Sequence, residues 1–578
     1  DITNVLIVGC GGAGLRAAIE AKISGLSVKV LGKRSKDDAH TVLAAGGINA
    51  AFGNLDKNDS WEYHFADTFN EGYNVANPKM IEVLTKEAPS SVKEIDEWGA
   101  NFKKLPNGTL DQRFFGAHSF RRTCYSGDYT GQSILKALLK KIKDLSIPIF
   151  DSEYVSDLLI EDNLCFGAMS FNTKSGERTV HLADSIILCT GGHTRLWKKS
   201  SSRAKENTGD GFFLGLKAGC QLIDMEMVQF HPTGMIFPEE IAGTLVTEAV
   251  RGEGGKLLNG LGERFMKKYD KERMELSTRD KVAIANYSEI ISERTSPNGG
   301  VFLDISHKSK DFILSKIPRI YRQFIEYQML DISKEPMEVA PTSHYSMGGI
   351  DVDPIDHSTK IKGLYAAGEV AGGLHGANRL GGNSLAEILV FGKKAGAAAA
   401  INSKSLNSHQ RSNRMIKLAH QNLDKFIKSG NELSIPLQNE LREIMWNYCG
   451  VVKDKEKLQL GLNNLKKIKK KFSDIDVRVT DGNFDDLVNI CDLEASIVSS
   501  EATIKSALMR EESRGAHQRS DFPEMNNSIN FNCCVKLENK LLKIEKRNKV
   551  PISKNYLDIL SLLENQHTND DIGSKLLE

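Results

Sequence analysis

The chain has 578 residues, with 76 Lys and Arg against 75 Asp and Glu, so its formal net charge is +1. That balance argues against a nucleic-acid binder, which shows a basic domain, and no apolar run reaches the roughly 18 residues of a membrane span. The nine cysteines are scattered without any C-x-x-C pair, which speaks against zinc or iron–sulfur ligation within the chain and suits a reducing compartment.

The first element sets the rest. Val5 to Val8 read as a buried strand. Gly9, Gly11 and Gly14 follow in G-x-G-x-x-G spacing, then a helix over Leu15–Ile23 and a second strand over Ser27–Leu31. In such a βαβ unit the first glycine makes the tight turn. The second lets backbone approach a pyrophosphate, and the third lets helix pack on strand. Lys33 stands where a ribose-binding acid is usual, which weakens a simple NAD reading, and with the sequence entering a core strand directly no secretory signal is expected in it. Residues 60–100 read as helical, 133–142 as a further helix, and 149–192 as hairpin strands ending in a glycine turn. NTGDG (Asn207–Gly211) opens a helix. Residues 225–345 change character, 361–400 return to the first style, and 406–510 have helical periodicity. LKKIKKKF (Leu465–Phe472) reads as a solvated helix face, and the last residues, from Gln566, as frayed.

Nine short motifs then occur in one order: HTVLAAGGI, NTGDG, QFHPTG, TEAVRGEGG, STRD, HYSMGG, AAGEV, HGANRLGGNSL and ESRGAHQRSDFPE. Together they resemble the flavoprotein subunit of succinate dehydrogenase and fumarate reductase, a superfamily that includes L-aspartate oxidase. The resemblance runs from Val5 to about Phe522. It implies an α/β fold in which a Rossmann-like FAD-binding domain (1–228 and 347–405) is interrupted by an α+β capping domain (229–346). A helical domain (406–510) and a small C-terminal region (511–578) follow.

The resemblance also implies roles. FAD would be held by Gly9, Gly11, Gly12, Gly14, Lys33, His40, Thr41, Gly46, Gly47, Asp210, Glu369, Ser384 and Leu385. His40 would bond covalently to the flavin 8α-methyl group. His231, Thr247, His344, Arg379 and Phe115 would contact a four-carbon dicarboxylate, a dianion for which arginine supplies the best-matched fork. Arg279 would be the acid/base, with Glu248 and Arg251 as its proton relay. No metal is expected in the chain. With no second redox centre, electrons would leave through partners, an iron–sulfur subunit with a membrane anchor, placing the enzyme on the cytoplasmic face of an inner membrane or the mitochondrial matrix side. L-aspartate oxidase, a soluble or thiol-linked fumarate reductase and an inactive scaffold flavoprotein are the alternatives. The chain departs from the family around Pro238–Glu240, where it is longer, and at its end, which lacks an aromatic segment; both bear on partner docking.

Overall fold

The computed structural model describes residues 2–406, 411–480 and 482–567. Strand β1 (Ile2–Val8), helix α1 (Gly12–Ile23) and strand β2 (Val28–Gly32) form the opening unit. The region expected to be helical over 60–100 is two helices, α2 (Trp61–Glu71) and α3 (Pro78–Ile95), the second closed by a wider, π-type turn at Asp96–Ala100. At the break Tyr73 and Asn74 adopt positive φ, and Pro78 stands in the first turn of α3, which the Asn77 side chain caps. Helix α4 (Thr130–Asp144) leads to β3 (Ile149–Asp151), β4 (Glu153–Glu161), β5 (Leu164–Asn172) and β6 (Arg178–Leu188).

β1 lies between β2 and β6, parallel to both, with Val5 opposite Val28 and Leu6 opposite Ile186. β3 adds in parallel beyond β2. The first half of β6 pairs antiparallel with β5, and β5 with β4, as the alternating pattern predicts. After helix α5 (Asp210–Ala218) and strand β7 (Leu222–Ile223) the chain leaves this sheet. It builds a second, antiparallel sheet from β8 (Val228–Met235), β9 (Lys256–Leu258), β10 (Val301–Asp304) and β11 (Met337–Ser346), in the order β8-β11-β10-β9, with helix α6 (Arg279–Ile291) packed on it.

The chain then returns. β12 (Leu364–Ala366) pairs in parallel with the second half of β6, and helix α7 (Asn383–Ser405) lies along α1. Gly392 and Gly396 permit that contact, because a Cβ there would stand 2.7 Å from Ala13 O and 2.5 Å from Ala17 O. Both faces of the parallel sheet are covered: Ile7 and Ile187 pack toward α1 and α7, Leu6 and Leu188 toward Phe212 and Leu216 of α5. This double coverage explains why β1 reads as a continuous apolar run.

Helices α8 (Asn413–Asp424), α9 (Ser434–Tyr448), α10 (Lys455–Phe472) and α11 (Asp485–Met509) share one core. α10 turns Leu458, Leu465 and Ile468 inward. Strands β13 (Phe531–Glu538) and β14 (Leu541–Asn548) form a hairpin docked on β7, so the C-terminal region joins the body of the protein. Helix α12 (Lys554–His567) rests on α2, with Tyr556 stacked on Phe65 at 5.0 Å. Of the end expected to be frayed, Gln566 and His567 belong to α12, and 568–578 lie outside the described residues. Among the described residues no helix is long and apolar enough to cross a membrane, and no group of three His, Cys, Asp or Glu side chains could hold a metal.

Candidate functional site

A long cleft opens where β1 ends. Gly9 leaves the strand at φ +116°, and a Cβ on it would lie 2.1 Å from Cys189 O on the neighbouring strand end. A Cβ on Gly14 would lie 1.9 Å from Gly9 O, so the helix could not sit this close to the turn with any side chain there. Gly14 is therefore a packing residue and does not line the cleft. Gly11 differs: a Cβ there would meet only Thr41 Oγ1, at 3.5 Å, and the space beyond it is open. α1 starts with no side-chain cap and no acid in its first turn, which leaves its positive end for an anion. These features fit a dinucleotide pyrophosphate.

The other predicted cofactor residues line the same cleft: Gly9, Gly11, Gly12, Lys33, His40, Thr41, Gly46, Gly47, Asp210, Glu369, Ser384 and Leu385. Thr41 Oγ1 accepts from Gly12 N at 3.0 Å, tying the loop to the turn. Lys33 Nζ lies 3.0 Å from Asp210 Oδ2 and 3.0 Å from Asp492 Oδ1. Asp210 is thus held by a cation and is more than a helix cap. Burial alone would lower the Lys33 pKa, but the two carboxylates outweigh it and raise it. Glu369 is pushed up to about 7, first by burial, and accepts from Ser346 N at 2.9 Å. Ser384 and Leu385 sit in the first turn of α7, where amide dipoles favour developing negative charge. His40 Nδ1 lies 3.0 Å from Glu206 Oε2.

At the inner end, residues from both sheets meet. β8 and β11 bring His231 and His344 to a ring separation of 5.2 Å. Arg279, the first residue of α6, donates through Nε to Glu248 Oε2 at 2.7 Å and through a terminal nitrogen to Gln229 Oε1 at 3.3 Å. Arg379 donates to that same Gln229 oxygen at 3.0 Å and lies over the Tyr345 ring. Its pKa falls to about 10, because it is buried and faces Arg279. Glu248 would be raised by burial, but Arg279 and Arg251 hold it at about 2, and it accepts from Gly116 N at 3.0 Å. Both histidines are held neutral, His231 by burial and Arg279, His344 by burial and then Arg379. His231 Nε2 and Arg379 Nε are buried and have no partner among the described residues, which is the condition of a site that awaits a polar ligand. Phe115 and Thr247 line this end.

Arg251 does not reach the cleft. It lies behind Glu248, 4.0 Å away, and donates to Glu275 O at 2.7 Å. Asp280, next to Arg279, does not pair with it: it accepts from Tyr73 and Asn378 instead.

A family profile described as an FAD binding domain matches residues 4–385, and one described as the fumarate reductase flavoprotein C-terminal region matches 438–556. The chain belongs to the succinate dehydrogenase and fumarate reductase flavoprotein family. It is an FAD-dependent oxidoreductase of that family. In Methanothermobacter marburgensis, one polypeptide of the CoM/CoB fumarate reductase is 43% identical over 90% of this chain and 94% of its own length. The succinate dehydrogenase flavoprotein subunit of Rickettsia conorii is 35% identical over 90% and 91%. Among solved structures, Mycobacterium smegmatis Sdh1 superimposes with a TM-score of 0.88 at 37% identity, covering 98% of both chains. E. coli quinol fumarate reductase, in a mutated form, does so at 0.91 and 32%, covering 96% of this chain and 97% of its own. The mixed α/β architecture is therefore that of the succinate dehydrogenase and fumarate reductase flavoproteins.

Sequence reasoning missed three residues that shape this cleft. Gln229, fully buried, bridges the two guanidiniums; it stands two residues before His231 in QFHPTG, and that position was the available signal. Glu206 lies just before NTGDG and holds His40. Asp492 reaches Lys33 from α11, with nothing in the local sequence to mark it.

Proposed function

We propose that this chain interconverts succinate and fumarate. The observation that carries the reading is the inner end of the cleft, where two buried guanidiniums share one amide oxygen beside a carboxylate and two neutral histidines. Bound FAD supplies the two-electron chemistry of hydride transfer. Arg379, His344, His231 and Thr247 bind and orient the dicarboxylate, with the unpartnered His231 Nε2 and Arg379 Nε free to serve it. Arg279 moves the proton at the substrate carbon, and Glu248, ionised at neutral pH and 2.7 Å away, exchanges protons with it. Arg251 keeps Glu248 charged from behind. The unit from 229 to 346 closes over the substrate and excludes water. We infer that His40 is the flavin attachment point, that electrons pass through an iron–sulfur subunit to quinone, and that the enzyme is peripheral at an energy-coupling membrane.

The test is a steady-state assay of the purified complex with succinate and with fumarate, repeated on Arg279→Ala. That variant keeps its FAD and loses turnover by at least the roughly 10²–10⁴-fold that a general acid supplies. Near-normal rates would remove Arg279 from its role. A second reading, a thiol-linked fumarate reductase, is favoured by the 43% identity to the CoM/CoB enzyme. Fumarate reduction driven by dithiol and not by quinol identifies it. L-aspartate oxidase activity is excluded when aspartate gives no turnover.

A further inference from the structure

The loop that carries His40 is gripped by a small charge cluster. Glu206, whose side chain is 4% exposed, presents Oε2 to His40 Nδ1 at 3.0 Å. Arg203 holds the other Glu206 oxygen through Nε at 2.9 Å, and its guanidinium also bonds Asp38, two residues before His40. Arg34 Nε lies 3.4 Å from Glu206. The carboxylate is therefore fixed from two sides before it meets the imidazole.

A neutral imidazole carries its hydrogen on one nitrogen only. A carboxylate at Nδ1 takes that hydrogen and leaves the lone pair on Nε2. Nε2 of His40 makes no hydrogen bond among the described residues, and the side chain is 31% exposed along the cleft. The other histidines of the cleft lack this arrangement: His344 Nδ1 faces the Ser201 hydroxyl, and His231 Nδ1 faces Thr233. Among the described residues, His40 is the one cleft histidine with a carboxylate on one nitrogen and an open second nitrogen.

We propose that Glu206 is the positioning residue that makes His40 Nε2 the nucleophile toward the flavin 8α carbon. The inference rests on the reading of His40 as the attachment point. An Nε2–C8α bond forms and one C8α–H bond breaks. The imidazole loses its hydrogen, with Glu206 as the group that first receives it. The ring system gains two electrons and two protons, one from the methyl carbon and one from the imidazole. Fumarate is the oxidant that takes both electrons and both protons, leaving succinate and an oxidised, attached cofactor.

The experiment compares wild type, Glu206→Gln, Glu206→Ala and the control His40→Ala, each prepared without cofactor and then given FAD and fumarate. Two quantities are read: flavin fluorescence of the chain on a denaturing gel, and total FAD bound by the native protein. In wild type a fluorescent band grows with time, and His40→Ala has none. Glu206→Ala loses about tenfold or more of the band at unchanged total FAD, a loss in the range of an unassisted nucleophile. Glu206→Gln attaches FAD slowly, because its amide oxygen fixes the tautomer and cannot take the proton. Equal bands at equal rates in all three Glu206 forms overturn the role of Glu206 and leave attachment at His40 standing. A band that falls only in proportion to total FAD makes Glu206 a structural residue and also overturns it. Wild type without a band removes the attachment reading itself.

Discussion

Gln229 Oε1 accepts from Arg279 and Arg379, while its Nε2 donates to Asn378 Oδ1 and Arg379 O, both at 2.9 Å. One amide thus sets the spacing of two cations that would otherwise repel. Charge in this pocket is offset in part by Glu248, and that offset has a pH signature. Its folded-state pKa of about 2 lies below the ordinary 4.5, so the carboxylate stabilises the fold fully above pH about 4.5 and loses that contribution as pH falls toward 2. The difference corresponds to at most about 3 kcal/mol. In Glu248→Gln, the thermal midpoint falls less steeply than wild type between pH 4.5 and 2; parallel acid limbs would show that the ion pairs with Arg279 and Arg251 do not set that limb.

Among the elements, the glycine turn separates two functions that one motif combines. Gly14→Ala places a methyl group against Gly9 O and disrupts the helix–strand contact, so the variant loses stability and FAD together. Gly11→Ala meets open space in the protein alone and keeps its thermal midpoint, yet fills the room of the pyrophosphate, so in a His40→Ala background, where FAD is held without a bond, FAD affinity falls at least about tenfold by equilibrium dialysis. Equal stability losses in both would contradict the division. The turn, β1, α1 and β2 were readable because each signal is local: an apolar run, a fixed glycine spacing, a second strand. The same holds for the antiparallel hairpin of β4 and β5. The break between α2 and α3 was not readable, since apolar periodicity resumes after it and the positive φ at Tyr73 and Asn74 is supported from a distance, by Arg514 donating to Tyr73 O at 2.8 Å. Lys33 posed the same difficulty. Its place after β2 was legible, but its partner Asp492 lies 459 residues further on. Pairwise charge contacts between distant elements leave no periodicity in the chain.

For the molecule as a whole, the inner end of the cleft is divided between two bodies of structure. β8, β11 and α6 supply His231, His344 and Arg279, while Arg379 comes from the segment that returns to the parallel sheet. A dicarboxylate that spans these groups links the bodies and binds the folded form alone. Succinate at 100 times its dissociation constant therefore stabilises the holoprotein by about 2.7 kcal/mol. Arg379→Ala, measured by thermal shift at the same concentrations, shows none of this rise; an equal rise in both would place the dicarboxylate elsewhere. The C-terminal region takes part as well. Ala516 N donates to Ala377 O at 2.8 Å, two residues before Arg379, so the ESRGAH segment braces the loop that presents the guanidinium.

The late return of the chain to its first sheet also orders events during synthesis. The glycine turn lies within the first fourteen residues, but the walls facing it include Ala367–Glu369 and Ser384–Ile388, and α7 covers α1 along its length. A nascent chain emerging from the ribosome has no finished pocket for its cofactor until α7 has been made. Until then the apolar face of α1 waits uncovered, and at a synthesis rate of about 5–20 residues per second that wait lasts on the order of tens of seconds. Cofactor loading therefore waits for α7, and a chain that stops short of it lacks the walls that face the glycine turn.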